Sequence, residues 1–209
     1  MVLNHITLDG VMQGPGRPEE DTRDGFEHGG WCMADNDDVM GRVMGMRLAE
    51  SGGLLLGRRS YEDMLAYWNT TDSPFKDALN NAPEYVASHT PEPLSWPNST
   101  LLTGDVPKAA SELKKQPGGD LHIMGSGVLI QSLMPHGLID EYVLLIHPLV
   151  LGSGHKLFQD GSPLTTLRLV DSVATTKGVV IARIGWRKPP SRWGSMAFAA
   201  ALGCERSNA

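Results

Sequence analysis

Short apolar runs that end in glycine and pass straight into helical spacing recur along this chain. Residues 2 to 8 read as an interior strand closed by Leu8-Asp9-Gly10. A Gly-, Pro- and acid-rich stretch follows from Val11 to Gly30, suiting either a binding loop or a plain surface excursion. Beyond Trp31, the cluster Asp35-Asn36-Asp37-Asp38 suits a helix start, with Val39, Met40, Val43, Met44, Met46 and Leu48 at helical spacing and Ser51-Gly52-Gly53 as the stop. Leu54-Leu55-Leu56-Gly57 is a buried strand running into a helix at Arg58. A short helix is expected over Phe75 to Asn81, strands at 84 to 88 and 99 to 102, and a helix from Val106 to Gln116 capped by Asp105. Asp120 to Met124 then enters Gly125-Ser126-Gly127 and a helix carrying Val128, Leu129, Ile130 and Leu133. Later come a strand at 139 to 147 and two more, 165 to 173 and 177 to 184, joined tightly at Ala174-Thr175-Thr176. Strand-helix units followed by strands predict an α/β fold: a three-layer, mostly parallel central sheet with helices on both faces and an antiparallel C-terminal hairpin. We place the domain at residues 1 to 185 and expect a poorly ordered tail at 186 to 209, whose apolar positions follow no clear period.

The chain is organised around the turn at 125 to 127. Where a strand becomes a helix through glycines, the first helical N–H groups are unpaired, the helix dipole is positive and no Cβ blocks approach, so a phosphate fits. A plain tight turn is the competing reading, since Ile130 stands where a full dinucleotide fingerprint has its third glycine. Neither Ser126 nor Ser153 has the glycine two residues earlier that a nucleophile elbow needs, which makes a hydrolase remote. A second strand-to-helix junction, at Gly57, carries Arg58 and Arg59, and arginine grips phosphate with paired hydrogen bonds.

Composition narrows the partners. With 209 residues, 41% hydrophobic and 20% charged, the chain is of ordinary globular make-up. A net charge of −6 with scattered basic residues argues against nucleic acid, and no apolar run is long enough for a membrane span. The N-terminal segment has no secretory pattern, so the expected location is cytoplasmic. Two distant cysteines and seven histidines without ligand spacing suggest neither a disulfide framework nor a metal.

Taken in order, Leu8-Asp9-Gly10, Gly57-Arg58-Arg59-Ser60-Tyr61-Glu62, Glu84-Tyr85-Val86-Ala87-Ser88, His122-Ile123-Met124-Gly125-Ser126-Gly127 and His147-Pro148-Leu149-Val150-Leu151-Gly152-Ser153-Gly154 give a specific resemblance. The chain resembles the dihydrofolate-reductase-like superfamily, and within it the reductase domain of the bifunctional riboflavin-biosynthesis deaminase/reductase. The resemblance implies an NADPH-binding homodimer that passes hydride to a small pyrimidine-, pterin- or flavin-like heterocycle. It implies that Gly57, Arg58, Arg59 and Ser60 face the pyrophosphate or 2′-phosphate, with Ser88 at the adenosine end. Gly125, Ser126, Gly127, Val128 and Leu129 would hold the pyrophosphate, and Leu8-Asp9-Gly10 would border the nicotinamide. His89 stands where family members often have arginine. In dihydrofolate reductases an acid lies five residues after a Pro-Trp pair; here Gly30 precedes Trp31 and the fifth residue on is Asn36. The flanking Asp35 and Asp37 could substitute for that acid; Asp37, one position further, and Asp9 are the expected proton donors, against their ordinary uses in a helix start and a turn. The zinc deaminase domain has no counterpart in this sequence. A non-catalytic NADPH-binding module on the same fold is the alternative function.

Overall fold

The computed structural model describes residues 1–71, 74–96, 98–162 and 164–186; the tail expected from 187 onward lies outside them. In chain order the elements are β1 (Val2–Thr7), α1 (Asp38–Ala49), β2 (Ser51–Gly57), α2 (Arg58–Trp68), α3 (Pro74–Asn81), β3 (Glu84–Ala87), β4 (Ser99–Leu102), α4 (Val106–Leu113), β5 (Asp120–Met124), α5 (Gly127–Leu133), β6 (Glu141–His147), β7 (Leu167–Ala174) and β8 (Val180–Trp186). They form one eight-stranded sheet in the order β4-β3-β2-β5-β1-β6-β8-β7. The first six strands of that order are parallel, and β8 pairs antiparallel with both β6 and β7. This is the predicted architecture.

Both faces are covered, which is why the central strands are apolar on both sides. On one face Val2, Ile6 and Ile123 pack with Ala110 of α4 and with Leu129, Ile130 and Leu133 of α5. On the other, Leu3, Val143 and Leu145 meet Met40 and Val43 of α1, while Leu54, Leu56 and Val86 meet Tyr61 of α2 and Leu79 of α3. Of the methionines of α1, Met40 is buried in the core and Met44 packs half-buried against it. The connections leaving the neighbouring strands β1 and β5 therefore run to opposite faces of the sheet. In an open α/β sheet that arrangement leaves a crevice at the carboxyl ends of the two strands.

Several boundaries differ from expectation for local reasons. Helix α1 starts at Asp38, because Asp37 caps it and Met33–Asp35 is wound into a separate 3-10 turn. Ser51-Gly52-Gly53 does follow the helix end, but it also opens β2. A Cβ on Gly52 would stand 2.5 Å from the Gly119 carbonyl carbon, so the glycine lets β2 and β5 begin side by side. In the C-terminal hairpin the turn is later than expected, since Gly178, at φ +85°, closes a Thr175–Gly178 turn and β8 begins at Val180.

Candidate active site

Two strand-to-helix turns meet at the carboxyl edge of the sheet. Helix α2 begins at Gly57 and α5 at Ser126, neither capped by its own side chain. The two turns are laced together: the Gly57 N–H donates to Ser126 Oγ (2.9 Å), and the Ser126 N–H donates to Ser60 Oγ (2.9 Å). From the other side Asn4 of β1 holds Gly125 by both ends of its amide, accepting from the Gly125 N–H (2.6 Å) and donating to its carbonyl (3.2 Å). Gly125 lies at φ +62° and Ser126 at φ 55°, so the chain turns sharply enough to aim the first amides of α5 outward. The lacing sets two positive helix ends side by side on adjacent parallel strands.

The expected binding residues divide by what the structure does with them. Ser60 and Ser126 spend their hydroxyls or amides on the lacing. Leu129 is buried in the core and offers only its amide, whereas Val128 is exposed. Ser88 Oγ accepts from the Thr90 N–H and shapes the turn after β3. Arg58 folds over the following loop, donating to the carbonyls of Glu92 (2.5 Å) and Pro93 (3.3 Å), with Glu62 3.6 Å away. Arg59 is exposed, with no partner among the described residues. The residues at this edge that could hold a phosphate are the amides of Gly127 and Val128 and the exposed Arg59.

The two acids expected to give a proton are otherwise engaged. Asp37 accepts from the Met40 N–H (2.9 Å) as the cap of α1, and from the Thr176 N–H (2.7 Å) and hydroxyl (2.6 Å) of the hairpin turn. These bonds, the Thr176 hydroxyl first, hold its carboxyl down at about 2. Asp9 accepts from the Thr7 hydroxyl (2.6 Å) and from the Leu151 and Gly152 amides, which also holds it below the usual carboxylate range. Both carboxylates thus carry structural hydrogen bonds that favour their ionised forms.

Of the acids between Trp31 and α1, Asp35 is the one that meets a histidine among the described residues. Its Oδ2 lies 2.8 Å from Nδ1 of His147, whose Nε2 lies 3.0 Å from Nδ1 of His5. His147 ends β6 and is fully buried; His5 lies on β1, on the α1 face. The Trp31 ring stands edge-on to His147, at 5.1 Å and 88°. Its indole N–H donates to the Gln13 carbonyl (2.7 Å), and the buried Gln13 side chain ties the 11–30 loop to Asp21, Arg23 and His155. The loop is thus neither a free excursion nor an open flap; it is folded about Gln13 and sets Trp31 in place. Sequence reasoning passed over His5, His147 and Gln13. The nearest signals were one histidine inside each of two apolar strands, which read equally well as satisfied core residues.

Leu8, Met33, Val128 and Val150 are exposed apolar residues on the segments that follow β1, β5 and β6. A separate open cleft of about 230 Å³, lined by Gln131, Met134 and residues 159 to 162, lies toward the C-terminal end of α5. Among the described residues no group of three or more His, Cys, Asp or Glu could hold a metal, and no helix is long and apolar enough to cross a membrane.

Comparison with known proteins follows the same outline. The chain is 29% identical over 189 residues to the Bacillus subtilis protein YyaP, covering 87% of this chain and 91% of that one. Over 116 residues it is 29% identical to YwjB of the same organism, covering 56% of this chain and 63% of YwjB. A Shewanella sp. PV-4 structure described as a riboflavin biosynthesis protein superposes with a TM-score of 0.65 at 18% identity, covering 90% of this chain and 98% of that one. A pyrimidine reductase-like protein of Corynebacterium diphtheriae gives 0.59 at 13%, covering 90% and 91%. The Thermotoga maritima diaminohydroxyphosphoribosylaminopyrimidine deaminase/5-amino-6-(5-phosphoribosylamino)uracil reductase gives 0.55 at 13%, covering 88% of this chain and 55% of that longer one. These likenesses carry the fold, and the family model for the RibD C-terminal domain matches residues 1–181. By that match, spanning nearly all of the sheet and both laced turns, the chain belongs to the RibD C-terminal domain family.

Proposed function

We propose that this protein is an NADPH-dependent reductase of a small heterocycle, of the pyrimidine, pterin or flavin type. The observation that carries the reading is the lacing of the α2 and α5 starts through Gly57, Ser60 and Ser126, which sets two positive helix ends beside one another at the sheet's crevice. The amides of Gly127 and Val128 bind the pyrophosphate, and Arg59 selects the 2′-phosphate. Asn4 fixes the Gly125 turn against β1, so the ring end of the cofactor is directed toward the α1 face and the Leu8 and Trp31 rim. When bound, NADPH supplies the hydride, and the chain binds, orients and excludes water. Membership of the RibD C-terminal domain family supports a reductase, and a homodimer is the assembly expected with it.

A second reading is a binding module without turnover. It is favoured by one observation, that Asp9 and Asp37 are both committed to structural hydrogen bonds. NADPH oxidation with a panel of pyrimidine, pterin and flavin acceptors, beside binding followed by cofactor fluorescence, separates the two. Binding with turnover is expected; binding without turnover for every acceptor establishes the module, and no binding overturns both. Sedimentation of the full chain tests the dimer.

A further inference from the structure

The line Asp35–His147–His5 is buried in its middle and partly exposed at both ends. His147 is wholly enclosed, between β1, β6 and Trp31, so neither of its nitrogens meets solvent. Its two neighbours lie at hydrogen-bond distance on opposite edges of the ring, 2.8 Å and 3.0 Å. His5 is only partly buried, and no described residue takes its Nε2. We propose that these three residues form a proton store, and that His5 Nε2 is the catalytic group through which it protonates the nitrogen of the heterocycle left electron-rich by hydride addition. This rests on the reductase reading above and deepens it.

The hydrogen bonds allow two protonation states, one proton apart. In the filled state His147 is an imidazolium, donating from Nδ1 to the Asp35 carboxylate and from Nε2 to His5 Nδ1, and neutral His5 carries its hydrogen on Nε2. In the empty state His147 keeps only its Nδ1 hydrogen, its Nε2 accepts from His5 Nδ1–H, and His5 Nε2 is a bare lone pair. Passing from filled to empty breaks the His5 Nε2–H bond and forms a new N–H bond on the acceptor. At the same time the His147 Nε2 hydrogen moves to His5 Nδ1. The acceptor gains one proton, the store loses one, and solvent refills it after product leaves.

Charge and burial favour this division of labour. Burial, then the neighbouring His147, pushes the His5 imidazolium down to about 3, so His5 is neutral in both states and relays rather than stores. The ring that faces the Asp35 carboxylate is that of His147. Of the other groups around the line, the Cys32 thiol is pushed up to about 12, by burial first and by Glu20 and Asp35 after it, and stays neutral. Asp37 and Asp9 are held ionised by their own donors. The apolar residues of this face are Leu3, Met40, Val43, Val143, Leu145, Val179 and Ile181, and its charged groups Arg47, Glu141 and Arg183 gather at the start of β6, the end away from His147.

The test reads the histidine ring nitrogens of the full-length, ¹⁵N-histidine-labelled chain by NMR across pH, without cofactor. One titration common to both rings is expected: His147 loses its Nε2 proton, and His5 switches from the Nε2–H to the Nδ1–H tautomer at the same pH. Asp35→Asn is expected to lower that midpoint by roughly 1 to 3 pH units, the usual influence of an adjacent opposite charge. A His5 tautomer that stays the same while His147 titrates overturns the store, as does a midpoint unmoved in Asp35→Asn. For delivery, NADPH oxidation with 7,8-dihydropterin as probe is compared in the wild type, His5→Gln and His5→Phe. A fall in kcat of about 100-fold or more with KM little changed is expected, the usual contribution of a general acid; equal kcat overturns delivery. A wild type that does not bind NADPH overturns the reductase reading and delivery together, while the store stands or falls on the titration.

Discussion

The laced turns and the histidine corner both lie at the carboxyl edge of the sheet but are built in different ways. At the Gly57 and Gly125–Gly127 turns the chemistry belongs to the backbone, and side chains such as Ser60, Ser126 and Asn4 serve to hold the backbone still. At the corner it belongs to side chains, brought by β1, β6 and the turn before α1 from positions 5, 147 and 35. A backbone site needs a local conformation that glycine permits. A side-chain site needs long-range pairing, here the parallel register that sets His5 beside Leu145 and Thr7 beside His147.

The difference is put at most risk by Gly127→Val. A Cβ at this position would stand 2.9 Å from Met12 Sδ, the far end of a flexible side chain, and the backbone is not in the left-handed region, so the fold is expected to survive. The amides of α5 would be covered. With charge-assisted bonds contributing about 1.5–3 kcal/mol each, losing two weakens NADPH by on the order of a hundredfold to ten-thousandfold. Unchanged affinity with an unchanged melting temperature would mean that the cofactor does not use this turn.

The two arginines sharpen the comparison next. Arg59→Ala is expected to weaken NADPH by roughly tenfold to a hundredfold while leaving NADH nearly alone, one charge-assisted contact being lost. Arg58→Ala should instead lower the melting temperature, because its guanidinium tethers the loop at Glu92 and Pro93. Equal losses for both cofactors in Arg59→Ala would place it on the pyrophosphate.

Asp37 provides a pH test of a structural acid beside the proposed catalytic line. Its folded carboxyl lies at about 2, below the ordinary 3.8, so the stability it contributes is present above about pH 4 and is lost as pH falls toward 2. Asp37→Asn should cost about 1 kcal/mol at pH 7, as a lost helix cap does, and should flatten the melting temperature between pH 4 and 2. Cofactor affinity and turnover should be unchanged; a loss of turnover with binding intact would restore Asp37 as a proton donor.

The smallest effect is expected for Asp9→Asn, below about 1 kcal/mol, since its carboxylate is open to solvent and screened. NADPH binding and the pH profile of turnover should match the parent. A profile altered in this variant alone would move the proton source from the histidine corner to the loop after β1.

How much of the site could be read in advance follows from the same contrast. The strand-glycine-helix runs at 54 to 58 and 123 to 129 are contiguous, and a contiguous pattern announces its own backbone geometry. Asp35 and Asp37 both flank Asn36 and the spacing favours Asp37, yet the 3-10 turn at Met33–Asp35 sets Asp35 against His147. Rotation within one short turn decides which of several neighbouring acids meets a histidine, and nothing in their order along the chain encodes it.

The sequence by itself determined the α/β architecture, the antiparallel end of the sheet and the two glycine turns, because periodicity and glycine act within a few residues of themselves. Only the tertiary structure decided that Arg58 holds a loop while Arg59 stays exposed, that Ser60 and Ser126 bond to each other, and that Gln13 sets Trp31 against His147. Those outcomes depend on which strands lie side by side. That is settled by the burial of Val2, Leu3, Val143 and Leu145 against helices far along the chain, a collective choice over the whole core that no short stretch carries.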